Sequence, residues 1–184
     1  SLLMSSNAHA VLYTINEKEH NLVTTIRSKI QNFEKINNLD FIKTILKNSI
    51  LKNNNSLTSL FEGNLTCWPI YTSDKPTVSK FKNIFYLGDA FCTLPPTMAQ
   101  GASQSIEGAI ELFEIFEKDI NDKQNLYFNT RLNRTEKINK RSNLNYFAFH
   151  LDNKFFVKFR DILIKRLINN EKFIKNYLGR VFRK

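Results

Sequence analysis

A carboxylate at the end of an apolar run, a proline-rich turn and a helix opening on small residues form the segment of this chain best suited to chemistry. The run is Ile84-Phe85-Tyr86-Leu87 and the carboxylate is Asp89, behind Gly88. The turn carries Pro95 and Pro96, and the helix opens at Gln100-Gly101-Ala102-Ser103. A carboxylate accepts hydrogen bonds from the hydroxyls of a sugar-like chain. The free N–H groups of a first helical turn face negative charge developing on an electron-poor ring. The layout therefore suits a cofactor with both parts. A strand–loop–helix corner without a ligand is the plainer alternative.

The segment from Gly88 to Ala109 resembles, without a gap, the second flavin-binding motif of the aromatic hydroxylase family, the FAD-dependent monooxygenases related to p-hydroxybenzoate hydroxylase. Gly88, Asp89, Ala90, Pro96, Gln100, Gly101, Ala102, Gln104, Ile106, Glu107 and Ala109 fall on the family pattern. The resemblance implies that Asp89 holds the ribityl chain and that Pro96 lies against the isoalloxazine edge. It also implies that the backbone of Gly101 and Ala102 faces the N1–C2 carbonyl side of the ring. Gly88, Gln100 and Ser103 complete the implied cofactor contacts. Four positions depart from the pattern: Cys92 for His, Ala99 for the first Gly of Gly-Gln-Gly, Ser103 for Asn and Gly108 for Asp. Ala99 puts a Cβ where close backbone approach is usual, so an altered turn or weaker flavin affinity is expected.

Other segments fit the same family less specifically. Ala8–Ile15 resembles a strand of the substrate domain, and His20–Ile26 is its expected hairpin partner. Cys67-Trp68-Pro69-Ile70-Tyr71 resembles the Trp-Pro segment before the Gly-Asp motif. Arg131 and Arg134 resemble the Arg-x-x-Arg pair on the helix after it. The family also begins with Gly-x-Gly-x-x-Gly behind a strand, which seats a pyrophosphate. Glycine occurs here only at 63, 88, 101, 108 and 179, and the chain opens on Ser1. The expectation is a C-terminal half of a longer α/β enzyme: part of a substrate-domain sheet with one helix at 1–80, the flavin-binding strand, loop and helix at 81–120, and basic helices at 121–184.

The implied activity is hydroxylation of a small, usually aromatic, substrate, with NADH or NADPH as reductant and O₂ as oxidant. No general acid or base is identified. Two alternatives stay open: a flavoprotein of the same fold with reductase, dehydrogenase or halogenase chemistry, and a non-enzymatic basic helical module that binds a partner or a membrane.

Composition bounds these readings. At 184 residues, 42% hydrophobic and with 16 Phe, the chain can bury a core. Two cysteines give neither a disulfide framework nor a metal-ligand spacing, which suits a reducing cytoplasm. His9, His20 and His150 share no ligand spacing, so no metal is expected. No Gly-x-Ser-x-Gly elbow supports a hydrolase. No run of about 18 apolar residues predicts a transmembrane helix.

The charge is uneven. From Arg131 to Lys184 there are 15 Lys and Arg against 4 Asp and Glu; the first 130 residues hold 12 against 13. Nucleic acid is not expected as a partner. Peripheral contact of residues 152–184 with anionic lipid competes with packing of the Phe155, Phe156, Phe159, Ile162, Leu163, Leu167 and Phe173 face onto a core or a second copy. Oligomeric state is left open.

Hydrophobic periodicity predicts a hairpin from Val11–Ile15 and Leu22–Ile26, a helix from Leu39 that fades near Lys52, and a loop over Lys52–Thr58. It predicts strands at Leu65–Ile70 and Ile84–Leu87, the second one buried. Helices are expected over Gly101–Asp119, with Ile106, Ala109, Ile110, Phe113 and Phe116 on one face, and over Lys123–Leu151. One or two more lie in Asp152–Arg183, broken near Asn169-Asn170. Cys92 is either a reactive thiol or a small residue lining the flavin pocket. Trp68 and Tyr71 line either a substrate cavity or a core.

Overall fold

The computed structural model describes residues 1–27, 39–51, 65–73 and 75–179. The loop expected over Lys52–Thr58 lies outside them. The described fold mixes helices with a small antiparallel sheet and divides into two compact units. One comprises residues 1–69 and 147–163, the other 70–146 and 164–184.

The first unit is built on the hairpin. Strands β1 (Leu2–Met4), β2 (Ala8–Thr14) and β3 (His20–Ile26) form a sheet in that order. Ala8 pairs with Ile26, Val11 with Val23 and Thr14 with His20. The turn is closed by Asn16, whose Oδ1 accepts from the N–H groups of Lys18 (2.9 Å) and Glu19 (3.0 Å). Period-2 alternation puts Ala8 and Ala10 on the core side, against Ile42 and Leu46 of helix α1 (Leu39–Asn48) and against Ile50 and Leu51. Ile42 and Leu46 lie one turn apart on the helix, so both face the sheet.

Leu65–Ile70 forms no strand. Leu65 and Cys67 pack on this core while Thr66 and Trp68 point away, so the alternation survives without a hydrogen-bonded ladder. Pro69 has no N–H to give to one.

The second unit is organised by two helices, α2 (Gly101–Phe116) and α3 (Lys123–Phe149). Asp122 caps α3 by accepting from the Asn125 N–H at 3.1 Å. Phe91, Cys92, Leu94, Ile115, Tyr127 and Ile138 make the core.

The expected buried strand at Ile84–Leu87 is an irregular extended segment, and both Ile84 and Leu87 are exposed. Its carbonyls find side chains of α3 instead of a neighbouring strand. Gln124 Nε2 donates to the carbonyls of Phe81 (2.9 Å) and Ile84 (3.1 Å), and the Tyr127 hydroxyl donates to that of Tyr86 (3.0 Å). Paired this way, these groups do not require a ladder.

Helices α4 (Lys154–Ile168) and α5 (Glu171–Gly179) break at the expected asparagines. Asn153 Oδ1 accepts from the Phe155 N–H and Asn170 Oδ1 from the Phe173 N–H, each at 2.9 Å. These are N-caps. The Tyr177 ring on α5 lies under the Arg141 guanidinium, 5.5 Å from its centroid, and Arg141 donates to the Tyr177 carbonyl at 3.0 Å. Among the described residues no helix is long and apolar enough to cross a membrane.

Candidate functional site

The Gly88–Ala109 segment folds as two single turns of 3₁₀ helix leading into α2. The first covers Gly88–Ala90 and the second Pro96–Met98. Gly88 has φ +53°, and a Cβ there would overlap the Ser105 side chain of α2. Only glycine meets both conditions. Its carbonyl accepts from the N–H groups of Phe91 and Cys92, both at 3.0 Å, which tightens the turn around Asp89.

Asp89 is exposed, and among the described residues no hydrogen bond or ion pair engages its carboxylate. Thr93 Oγ1 donates to its backbone carbonyl at 3.1 Å and fixes the turn from the other side.

Pro96 is exposed at the start of the second turn, which Thr97 fastens to α3 by donating to the Ser142 carbonyl at 2.7 Å. Ala99 follows with φ 50° and ψ 40°, the left-handed region. It is the one non-glycine residue with positive φ among those described. The position at which the resemblance places glycine is thus a backbone that favours glycine.

Gly101, Ala102 and Ser103 are exposed at the start of α2, and Gln100 supplies no side-chain cap. The N–H of Gln104 reaches the Gln100 carbonyl at 2.9 Å, so the orphan donors are those of Gly101, Ala102 and Ser103. Gln100 itself is buried, with its amide against the Met98 carbonyl and Gln104, both at 3.4 Å. It holds the turn together and does not face outward.

The apolar residues expected on one face of α2 do share a face, and that face is turned outward. Gln104, Gly108, Glu111 and Ile115 are buried, while Ile106, Ile110, Phe113 and Phe116 are exposed. The reason lies on α3. Arg131 is buried there and needs acceptors. It donates to Glu111 Oε2 (3.1 Å), Gln104 Oε1 (2.9 Å) and the Gln104 carbonyl (3.1 Å). Arg134 grips Glu107 with two bonds, Nε to Oε1 at 2.6 Å and a second nitrogen to Oε2 at 3.1 Å. Gly108 leaves room for this seam: a Cβ would come within 3.3 Å of the Tyr127 hydroxyl and 3.4 Å of Arg131 Nε. The Arg-x-x-Arg pair therefore positions the motif helix. Signals for the seam were present as Gln104, Glu107 and Glu111 at helical spacing opposite Arg131 and Arg134, but they competed with a stronger apolar stripe.

Cys92 is buried in the core, and burial raises its thiol pKa above the ordinary value. A reactive-thiolate role does not suit that environment. Trp68 and Tyr71 lie at the surface rather than in a core.

One contact was invisible in the sequence. His9 on β2 and His150 just beyond α3 meet inside the first unit, Nδ1 to Nε2 at 3.2 Å, both buried. The Phe149 ring tilts against His9 with centroids 5.2 Å apart. Burial, and then the neighbouring His150, lower the His9 pKa from 6.5 to about 4. Among the described residues no three His, Cys, Asp or Glu side chains gather to hold a metal.

No protein-family model matches this chain, and no curated protein matches it.

Proposed function

We propose that the second unit is the flavin-contacting corner of a FAD-dependent monooxygenase. The observation that carries this reading is the fold of the motif around its glycine positions. Gly88 and Ala99 both take left-handed φ; between them the chain presents Asp89 and Pro96, and just beyond Ala99 it presents the orphan N–H groups of Gly101, Ala102 and Ser103, all on exposed residues. These groups fit a flavin chemically. Asp89 accepts from ribityl hydroxyls, Pro96 offers an apolar edge, and the start of α2 offers donors and positive potential to an anionic ring.

The bound flavin would supply electron transfer from NADH or NADPH and oxygen activation. The chain's own part is to bind and orient. The Arg131 and Arg134 seam fixes α2, the 3₁₀ turns fix Asp89 relative to it, and the helix start stabilises negative charge. The substrate class that goes with this reading is a small aromatic molecule.

The exposed apolar stripe of α2 adds support. Ile106, Ile110 and Phe113 are 64%, 51% and 66% exposed along one face of a helix that would lie within a nucleotide-binding domain. A working flavoprotein needs that stripe covered, by further chain or by a partner.

The test is flavin content and turnover of the protein expressed from its complete coding sequence. A stoichiometric flavin, released on denaturation, with oxygen uptake driven by NADH or NADPH and a phenolic substrate, is the expected result. Folded protein that carries no flavin and takes none up from free FAD overturns the proposal. Flavin reduction by NAD(P)H without hydroxylated product would place the protein among reductases or dehydrogenases instead.

A further inference from the structure

We propose that the outward face of α4 docks on an anionic lipid surface. The inward side of this helix carries Arg160, which is buried and donates to the Ala148 carbonyl at 3.0 Å and to Asp161 at 2.8 and 2.9 Å. On the opposite side Phe155, Phe159 and Ile162 recur at i, i+4 and i+7, and are 74%, 61% and 48% exposed. The expected packing of this stripe on a core therefore does not occur within the unit. The helix turns its polar Arg160 inward because the Ala148 carbonyl and Asp161 accept from it there.

Charge selects the occupant. Lys154, Lys158 and Lys165 fall at i, i+4 and i+11 and run along one edge of the stripe. Among the described residues none of the three makes an ion pair. The one acid of the helix, Asp161, adjoins this edge with its side chain 48% exposed, and Arg160 holds its carboxylate at 2.8 and 2.9 Å. The outward face thus presents aromatic and aliphatic side chains beside three unpaired lysines, with its one neighbouring carboxylate already bonded to Arg160. A second copy of the same face would bring like charges together, whereas an anionic bilayer interface satisfies both features.

At 15 residues the helix is too short to span a bilayer, which takes about 20 residues, and suits lying in the interface plane. Asn153 already caps its start, so binding need not first order the helix. The inference rests on the first unit and on α4, and it does not depend on the flavin reading.

Flotation of the full 184-residue chain with phosphatidylcholine vesicles, with and without phosphatidylserine, tests it. The chain is expected to float with phosphatidylserine vesicles at low salt and to be released at high salt. Each lysine near an anionic surface is worth about fivefold in affinity, so a Lys154→Gln/Lys158→Gln/Lys165→Gln variant should bind on the order of a hundredfold more weakly. Phe155→Ser/Phe159→Ser should lose at least about tenfold. All five side chains are exposed, so both variants should keep the wild-type thermal unfolding midpoint. Equal binding to neutral vesicles, no flotation, or unaltered binding by either variant overturns the proposal. Failure to float together with a dimer that Phe155→Ser/Phe159→Ser converts to monomer would assign the face to a second copy.

Discussion

Replacing Arg131 with Met should cost the second unit on the order of 3–5 kcal/mol, the range for breaking a buried ion pair from one side. Arg131 is 2% exposed and supplies the donors for Glu111 at 3.1 Å and for Gln104 at 2.9 and 3.1 Å. Removing the guanidinium takes those donors away from a carboxylate whose side chain is itself only 7% exposed. Helix propensity does not enter, because Met and Arg are nearly equal. Urea unfolding followed by far-ultraviolet circular dichroism reads the change as a lowered midpoint with an unaltered slope. A Arg131→Met/Glu111→Leu variant should recover a large part of the loss, since an apolar pair of similar volume often replaces a buried ion pair at little cost. A loss below about 1 kcal/mol for Arg131→Met would be the behaviour of an exposed pair. It would refute the claim that a buried polar seam orients the motif helix.

Two further outcomes follow from the backbone at Ala99 and from the buried histidine. Ala99→Gly should stabilise the protein by about 0.5–1 kcal/mol, because relief of the left-handed strain exceeds the added flexibility of the unfolded chain; Ala109→Gly, on the exposed side of α2, should destabilise by about 1 kcal/mol in the same urea assay. His9 has its folded pKa lowered from 6.5 to about 4, so the unfolded chain binds the proton first as pH falls. Stability should be full above pH 6.5, fall by up to about 3 kcal/mol on acidification to pH 4, and lose that pH dependence in His9→Phe, as checked by urea midpoints across the range.

Local signals were legible and long-range ones were not. The hairpin was readable because two apolar runs, Val11–Ile15 and Leu22–Ile26, flank a short polar segment that opens on Asn16. The break between α4 and α5 was readable because Asn170 is a cap. The first strand escaped because three residues, Leu2–Met4, carry too little pattern. Ile84–Leu87 reads as a buried strand, but Gln124 and Tyr127, some 40 residues on, pair its carbonyls instead. Which face of α2 turns inward was illegible for a related reason. A buried arginine 27 residues from Gln104 demands the polar side and leaves the apolar stripe outward. His9 and His150 are 141 residues apart, and no spacing rule connects them. At the motif, the glycine pattern singled out position 99 as a departure, and the left-handed backbone at Gly88 and Ala99 emerged only from the structure. The pattern did not distinguish Gln100, which turns inward, from Asp89 and Pro96, which turn out.

The central claim is that Asp89 binds a flavin, and FAD affinity is its most direct test. Protein expressed from the complete coding sequence, freed of flavin, is titrated with FAD as wild type and as Asp89→Ala. Asp89 is exposed, and among the described residues its carboxylate has no hydrogen-bond or ion-pair partner, so its loss should leave the urea midpoint unchanged. Loss of hydrogen bonds to a charged acceptor, about 1.5–3 kcal/mol, predicts a Kd raised about 10- to 150-fold. An unchanged Kd in Asp89→Ala, or no FAD binding by the wild type, would contradict the assignment.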